Sequence, residues 1–322
     1  VNLARPLAIS QLVEDDLPDA EGMLMRAFGA PAGVFGRRLR RYLALNPRTW
    51  LALRTAGSPS LLGLVGANLF EGCAYIGLMG IEPSAQRQGH GERLMRALIE
   101  RLAGEGVHTL MLDASAAGAP LYAKLGFVTV GHAGEWHRAD LPPGDTSGPR
   151  PGRPLDADAR TGRGNTDHGA GVVEISGPDG YHQVAALDAR FFGFDRTRLW
   201  TRLAQEGPAI RTFVVADETS RMTGYLCLQN GLLAGPFGAT TPGAAQVLLQ
   251  AVLGRDASFL RGGRVLVPSH NADAPVVLRR AGFQEIRQLT HMRLVLPEAP
   301  ASPAEQTPSW SRIYGKGSFC LG

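Results

Sequence analysis

Ser115 lies eleven residues before the pair Gly126-Phe127, and Asn271 lies eleven before Gly282-Phe283. In the same alignment Leu121 pairs with Val277 and Tyr122 with Leu278, and strand-like and helix-like segments follow in the same order on both sides. A repeat of this length marks a duplicated structural unit. The 322 residues, 44% of them apolar, are enough for two such units, each with a core. Between them, residues 142–170 are rich in proline, glycine and charge and almost devoid of large apolar side chains, the composition of a flexible linker. The expected division is a first unit at 1–141, a linker at 142–170 and a second unit at 171–322.

Hydrophobic periodicity and turn residues give the first unit the order β-α-α-β-β-β-α-β-α-β. Strands are expected at Leu7–Ile9, Trp50–Arg54, Leu61–Phe70, Ala74–Ile81, Thr109–Asp113 and Phe127–His137, the last completing the unit. Helices are expected at Asp15–Phe28, Val34–Leu45, Gly89–Leu102 and Ala117–Lys124, with Gly126 stopping the last of them. The second unit repeats the plan, with helices at Tyr181–Phe191, Arg198–Ala204, Ala244–Leu253 and Ala274–Arg280. Its strands are expected at Val172–Ile175, Ile210–Ala216, Thr223–Gln229, Leu232–Pro236 and Arg264–Val267. The fold class is α/β (α+β), a mixed central sheet flanked by helices in each copy.

The apolar run Ile76–Ile81 is followed by Glu82-Pro83-Ser84-Ala85-Gln86-Arg87-Gln88-Gly89-His90-Gly91-Glu92 and then by an amphipathic helix. A helix start carries four backbone N–H groups without intrahelical partners, and a glycine-rich loop can turn them toward one point. Such a point suits phosphate. A glycine-rich turn before a helix also serves as an ordinary connection, and the spelling here is neither Gly-x-Gly-x-x-Gly nor a Gly-Lys-Ser/Thr P-loop.

Gln86-x-x-Gly89-x-Gly91, three residues after Pro83, resembles the Gln/Arg-x-x-Gly-x-Gly/Ala pyrophosphate loop of the GCN5-related N-acetyltransferases (GNAT). A second segment, Asp113-Ala114-Ser115 through Leu121-Tyr122-Ala123-Lys124-Leu125-Gly126-Phe127, is similar to that family's Asn-x-x-Ala-x-x-Leu-Tyr-x-x-x-Gly-Phe. Ser115 and Gly118 stand where the family has Asn and Ala, so the side-chain amide contact to the pantetheine arm is replaced at best by a hydroxyl. The resemblance covers residues 6–140 and implies two tandem acyl-CoA N-acyltransferase folds, with acetyl-CoA as cosubstrate and a primary amine of a small molecule or peptide as acceptor.

It also implies the site residues. Gln86, Arg87, Gln88, Gly89, His90, Gly91 and Glu92 would hold the pyrophosphate, His90 and Glu92 through backbone amides or as solvated side chains. Met79, Gly80 and Ile81 would line the pantetheine arm and supply an oxyanion donor, and Ser115 would contact the arm from the other strand. Tyr122, a phenol protonated at neutral pH, would serve the leaving thiolate. Asp113 is one candidate general base, with Glu71 and Glu82 as others, and a water chain is a further possibility. The second unit has Thr240-Thr241-Pro242-Gly243-Ala244-Ala245 in place of the glycine loop and Leu278 in place of the tyrosine, so it reads as a degenerate copy without a ligand. Its Phe191–Arg196 segment is expected to pack on its own core, or else to touch the first unit.

The alternative from another class is a non-catalytic acetyl-CoA-binding or regulatory module; retention of Tyr122 speaks against it, because a sensor has no leaving thiolate to serve. Composition excludes other classes. The three cysteines, Cys73, Cys227 and Cys320, lack disulfide or metal-ligand spacing, and the eight histidines are scattered, so no metal is expected. The net charge of +4 is carried by arginine, with only Lys124 and Lys316 as lysines. The cluster Arg37-Arg38-x-Arg40-Arg41 reads as the solvated face of a helix. Without aromatic interleaving no nucleic-acid partner is expected, and without a long apolar run no membrane partner, which points to a cytoplasmic protein.

Overall fold

The computed structural model describes residues 6–30, 32–139, 171–255, 260–297 and 308–317. The expected linker at 142–170, with His168, and Cys320 lie outside them. The first repeat runs β1 (Leu7–Gln11), α1 (Leu17–Phe28), α2 (Gly36–Leu45), β2 (Trp50–Thr55), β3 (Leu61–Phe70) and β4 (Cys73–Ile81). It continues with α3 (His90–Gly104), β5 (Thr109–Ala114), α4 (Ala119–Lys124) and β6 (Val128–Arg138). The second runs β7 (Val173–Ile175), α5 (Pro178–Phe192), α6 (Thr197–Ala204), β8 (Ile210–Ala216), β9 (Met222–Gln229) and β10 (Leu233–Ala239). It then forms α7 (Pro242–Arg255), β11 (Arg264–Pro268), α8 (Ala274–Arg280), β12 (Phe283–Val295) and a short β13 (Ile313–Gly315).

The repeats do not build two separate sheets. Among the described residues one mixed sheet runs β1-β2-β3-β4-β5-β12-β6-β11-β10-β9-β8-β7, with β13 paired to β10. The closing strands have changed places. β12, from the second repeat, inserts antiparallel between β5 and β6, pairing His291 with Asp113 on one side and Leu289 with Ala133 on the other. β6 in turn pairs with β11, Trp136 opposite Val265. The expectation that Phe127–His137 completes the first unit is thereby corrected. A strand's alternation fixes which side chains face the core but not which strand lies beside it. β12, which the sequence pattern did not reveal, is the neighbour.

Helices cover both faces. α1, α2, α5 and α6 lie together on one face over a continuous core that includes Leu24, Leu39, Tyr42, Trp50, Tyr75, Met111, Trp200 and Tyr225. On the opposite face α3 and α4 pack Leu94, Leu98 and Tyr122 against β5 through Leu110, Leu112 and Ala114. α7 and α8 do the same beneath the second repeat. The pleat therefore sends Leu110, Leu112 and Ala114 of β5 to one face and Met111 and Asp113 to the other.

The shared layer corrects the reading of the arginine cluster. Arg41 is 1% exposed, its Nε and Nη2 donating to Glu206 at 2.6 and 2.7 Å and its Nη1 to Gln229 at 2.5 Å, both in the second repeat. Arg37 reaches Asn230 at 2.6 Å. Within the cluster Arg41 alone is buried: Arg37 and Arg40 remain exposed, and Arg40 pairs with Glu14 of its own repeat at 3.5 Å. Phe194 likewise stacks on Phe70 across the halves, ring centroids 5.2 Å apart, whereas Phe192 and Arg196 stay within their own core.

Candidate active site

β4 and β5 run parallel only over Cys73–Tyr75 and Thr109–Met111, then part. The separation is built into β4. Leu64 pairs with Gly80 and Gly66 with Gly77, so Leu78 and Met79 stand opposite the single residue Val65. Leu78 takes the left-handed region at φ 52, a strained setting for a bulky side chain. This bulge turns the end of β4, Met79-Gly80-Ile81, away from β5, and no strand pairs with that side of it among the described residues. Backbone donors therefore line a wedge through the sheet.

The glycine loop sits at the mouth of this wedge. A 3-10 turn at Pro83–Ala85 leads into Gln86, Arg87 adopts φ 60, and Gly89, at φ 79, is the residue from which α3 starts. No side chain caps that helix start, so its first N–H groups are open to an anion. Gln86 and Gln88 turn back, their amides donating to Ile81 and Ser84 carbonyls at 3.1 and 3.2 Å, and so brace the loop. Gly91 packs closely: a Cβ there would lie 3.0 Å from the Met79 methyl and 3.4 Å from Leu121. His90 is half-buried at the helix start. Glu92 is not a free solvated carboxylate, since Lys124 and Arg96 hold it at 2.6 and 2.8 Å and lower its pKa.

Ser115 lies just beyond β5 and is exposed, its hydroxyl accepting the Gly118 N–H at 3.2 Å. Tyr122, on α4, is 9% exposed with its ring edge-on to Phe127 at 6.0 Å. Burial pushes the phenol up to about 12. At that value it stays protonated, and complete transfer to a thiolate of pKa about 8.5 is uphill. Its hydroxyl is suited to donating a hydrogen bond to a sulfur that gains charge.

Asp113 lies on the opposite face with its side chain fully buried. Lys316 Nζ is 3.0 Å from both carboxylate oxygens, Tyr75 donates at 2.6 Å and His291 Nδ1 lies at 2.9 Å. Burial alone would raise its pKa, but Lys316, His291 and Tyr75 outweigh this and hold it far below the carboxylate range. Every lone pair is engaged, so the residue proposed from sequence as a base is a poor proton acceptor itself. The other two candidates differ, Glu82 being paired and Glu71 exposed. Glu82 is forked by Arg26 at 2.9–3.1 Å, and Glu71 accepts the Asp195 N–H at 3.5 Å.

In the second repeat β10 and β11 pair in parallel only at Leu233–Arg264, giving a second wedge. β13 fills it. Gly315 and Ile313 pair with Phe237 and Gly238 of β10, and the Lys316 N–H donates to the Leu266 carbonyl of β11 at 2.7 Å. The fit is tight enough that a Cβ on Gly235 would lie 2.2 Å from the Lys316 carbonyl oxygen. Asn271, the counterpart of Ser115, donates from Nδ2 to the Ile313 carbonyl at 2.9 Å. At the loop that corresponds to Gln86–Gly91, Thr241 Oγ1 accepts the Ala244 N–H at 3.2 Å, so the start of α7 is capped by its own side chain.

Comparison with known proteins agrees with this geometry. The profile of the acetyltransferase (GNAT) family matches residues 17–127, and that of an acetyltransferase (GNAT) domain matches residues 184–306. The uncharacterized N-acetyltransferase YitH of Bacillus subtilis (strain 168) is 25% identical over 232 residues, 71% of this chain and 72% of its own. A crystal structure from Pyrococcus horikoshii superposes with a TM-score of 0.74 at 23% identity, covering 98% of this chain and 96% of that one. A tandem GNAT protein from the clavulanic acid biosynthesis pathway gives 0.60 at 16% identity, covering 92% and 100%. The chain belongs to the GNAT superfamily as a tandem, two-domain N-acetyltransferase.

Proposed function

We propose that the first repeat carries the reaction, transferring acetyl from acetyl-CoA to a primary amine of a small molecule or peptide, and that the second binds no cofactor. The observation that carries this reading is the contrast between the two wedges. No described segment enters the wedge between β4 and β5, whereas β13 occupies the one between β10 and β11.

In this reading the pyrophosphate lies on the N–H groups between Gln88 and Glu92, with Gln86 and Arg87 shaping the loop. The pantetheine arm passes between Met79–Ile81 and Ser115. A backbone N–H at Met79–Ile81 stabilises the oxyanion formed on attack, and Tyr122 donates a hydrogen bond to the departing sulfur.

The test is release of CoA thiol over a panel of primary amines, with the wild type and Tyr122→Phe. The variant is expected to lose about 10²-fold or more in kcat, with acetyl-CoA affinity by calorimetry within about twofold. Equal turnover would remove Tyr122 from the chemistry. Tight acetyl-CoA binding with no acyl transfer to any amine would instead favour a sensor.

A further inference from the structure

Tyr75 on β4, Asp113 on β5, His291 on β12 and Lys316 after β13 meet on the face of the sheet that carries α1 and α2. Two belong to the first repeat and two to the second, the latter brought in by the exchanged strand and by the segment that fills the second wedge. Asp113 lies two residues past Met111, where β4 and β5 have already parted. Tyr122 belongs to the core on the opposite face. The wedge is thus flanked by a hydroxyl donor on one side and this polar group on the other.

The hydrogen bonds fix the imidazole. Lys316 donates to the Tyr75 oxygen at 2.7 Å, and Tyr75 donates to Asp113 Oδ2 at 2.6 Å. An ionised Asp113 can only accept, so the proton between it and His291 sits on Nδ1. That leaves Nε2 with its lone pair, and none of the described residues hydrogen-bonds to it. The groups facing the ring are Asp113, Tyr75, Lys316 and His270, with Trp310 edge-on at 5.5 Å. Burial and the Lys316 charge lower the His291 pKa, Asp113 opposes them, and the ring is the neutral base at pH 7.

We propose that His291, oriented by Asp113 and Lys316, is the general base of the acetyl transfer, and that it serves an α-amino acceptor rather than an alkylamine. This inference rests on the reading that the first repeat carries the reaction. The base takes one proton from the acceptor ammonium, directly or through one water, and returns it to solvent. The freed nitrogen lone pair forms the C–N bond while the carbonyl becomes an oxyanion. Collapse breaks the C–S bond, the thiolate leaves with its electron pair and accepts a hydrogen bond from the Tyr122 hydroxyl, and the second nitrogen proton passes to solvent. The acceptor class follows from proton affinities. An α-ammonium, pKa about 7.8, gives up its proton about 400-fold more readily than a lysine-type ammonium of pKa about 10.4, whatever the value of the imidazole. A weakly basic histidine can serve the first and is a poor match for the second.

The experiment uses the full chain, acetyl-CoA, and two probe amines of similar size, an amino-acid amide and an alkylamine, followed by thiol release from about pH 4.5 to 10, so that the scan spans a histidine held below about 6.5. At pH 7 the wild type should favour the amide by about 100-fold or more in kcat/KM. His291→Gln should lose about 10²-fold or more with the amide, together with the acidic limb of its pH profile, at unchanged acetyl-CoA affinity. Nitrogen NMR of the wild type labelled in histidine, which needs no variant to fold, should show Nδ1 protonated and Nε2 bare.

A wild-type profile in His291→Gln, a preference for the alkylamine, or an Nε2–H tautomer would each overturn the proposal. If Tyr122→Phe is inactive while His291→Gln is unimpaired, only this inference falls. If the wild type acetylates neither this pair nor any panel amine, the first-repeat reading falls with it.

Discussion

Asn271 donates its side-chain amide to the Ile313 carbonyl at 2.9 Å, binding the second repeat's wedge to a strand of its own chain. Its Oδ1 also accepts the N–H groups of Asp273 and Ala274 at 3.0 and 2.9 Å, so the amide is held from both ends. A pantetheine arm could enter there only by displacing β13 and its pairing with β10 and β11. Calorimetry should therefore find one acetyl-CoA per chain. Two sites of comparable affinity would refute a self-filled second wedge.

The glycine at the head of α3 supports a second prediction. Gly89 sits at φ 79 with open space around its Cα, so an added methyl meets no neighbour and acts through backbone strain alone. Left-handed backbone costs an L-residue about 1–2 kcal/mol. Gly89→Ala should relax the loop and weaken acetyl-CoA by about tenfold, while the fold keeps its circular dichroism. Unchanged affinity by calorimetry would show that the loop's shape does not hold the ligand.

The lowered pKa of His291 gives a pH dependence of stability. The unfolded chain takes up this proton near pH 6.5, whereas the folded chain does so only at lower pH. Between those values the unfolded state binds more protons, so stability falls as the pH falls through this window. Asp113 acts in the same direction further down, its contribution being present above the unfolded value of about 3.9 and lost below it. Urea unfolding at pH 7 and pH 5 should show a larger drop for the wild type than for His291→Gln. Equal drops would mean that the imidazole titrates normally in the fold.

The glycine loop and Tyr122 were legible because each is local: the strand, the turn and the helix that frame them are contiguous in sequence. The repeat was legible for the same reason, from the spacing of Ser115 and Asn271 to their Gly-Phe pairs. Tyr75, His291 and Lys316 were not, since each stands alone in its segment and strand exchange brings them together. One signal was present. Lys316 is one of two lysines in a chain whose other cations are arginines, and a compact ammonium suits a confined carboxylate where a guanidinium fork does not. Arg41 was misread because helical periodicity identifies a polar face but not what will cover it.

Arg41 is also where the two repeats can be tested as one body. Its guanidinium is buried at 1% exposure and forks onto Glu206, itself only 9% exposed, with Gln229 taking a third hydrogen bond. Removing the cation alone would leave a buried carboxylate unpaired, a loss of about 3–5 kcal/mol. Arg41→Ala should therefore be strongly destabilising in urea unfolding. Arg41→Lys should recover only part, because an ammonium cannot make the two parallel bonds to Glu206. Arg41→Met with Glu206→Leu removes both charges at similar volume and should lie close to the wild type, since buried ion pairs often exchange for apolar pairs at little cost. A cost below about 1 kcal/mol for Arg41→Ala, the level of an exposed pair, would mean that water reaches this contact and that the helical layers of the two repeats are not joined there.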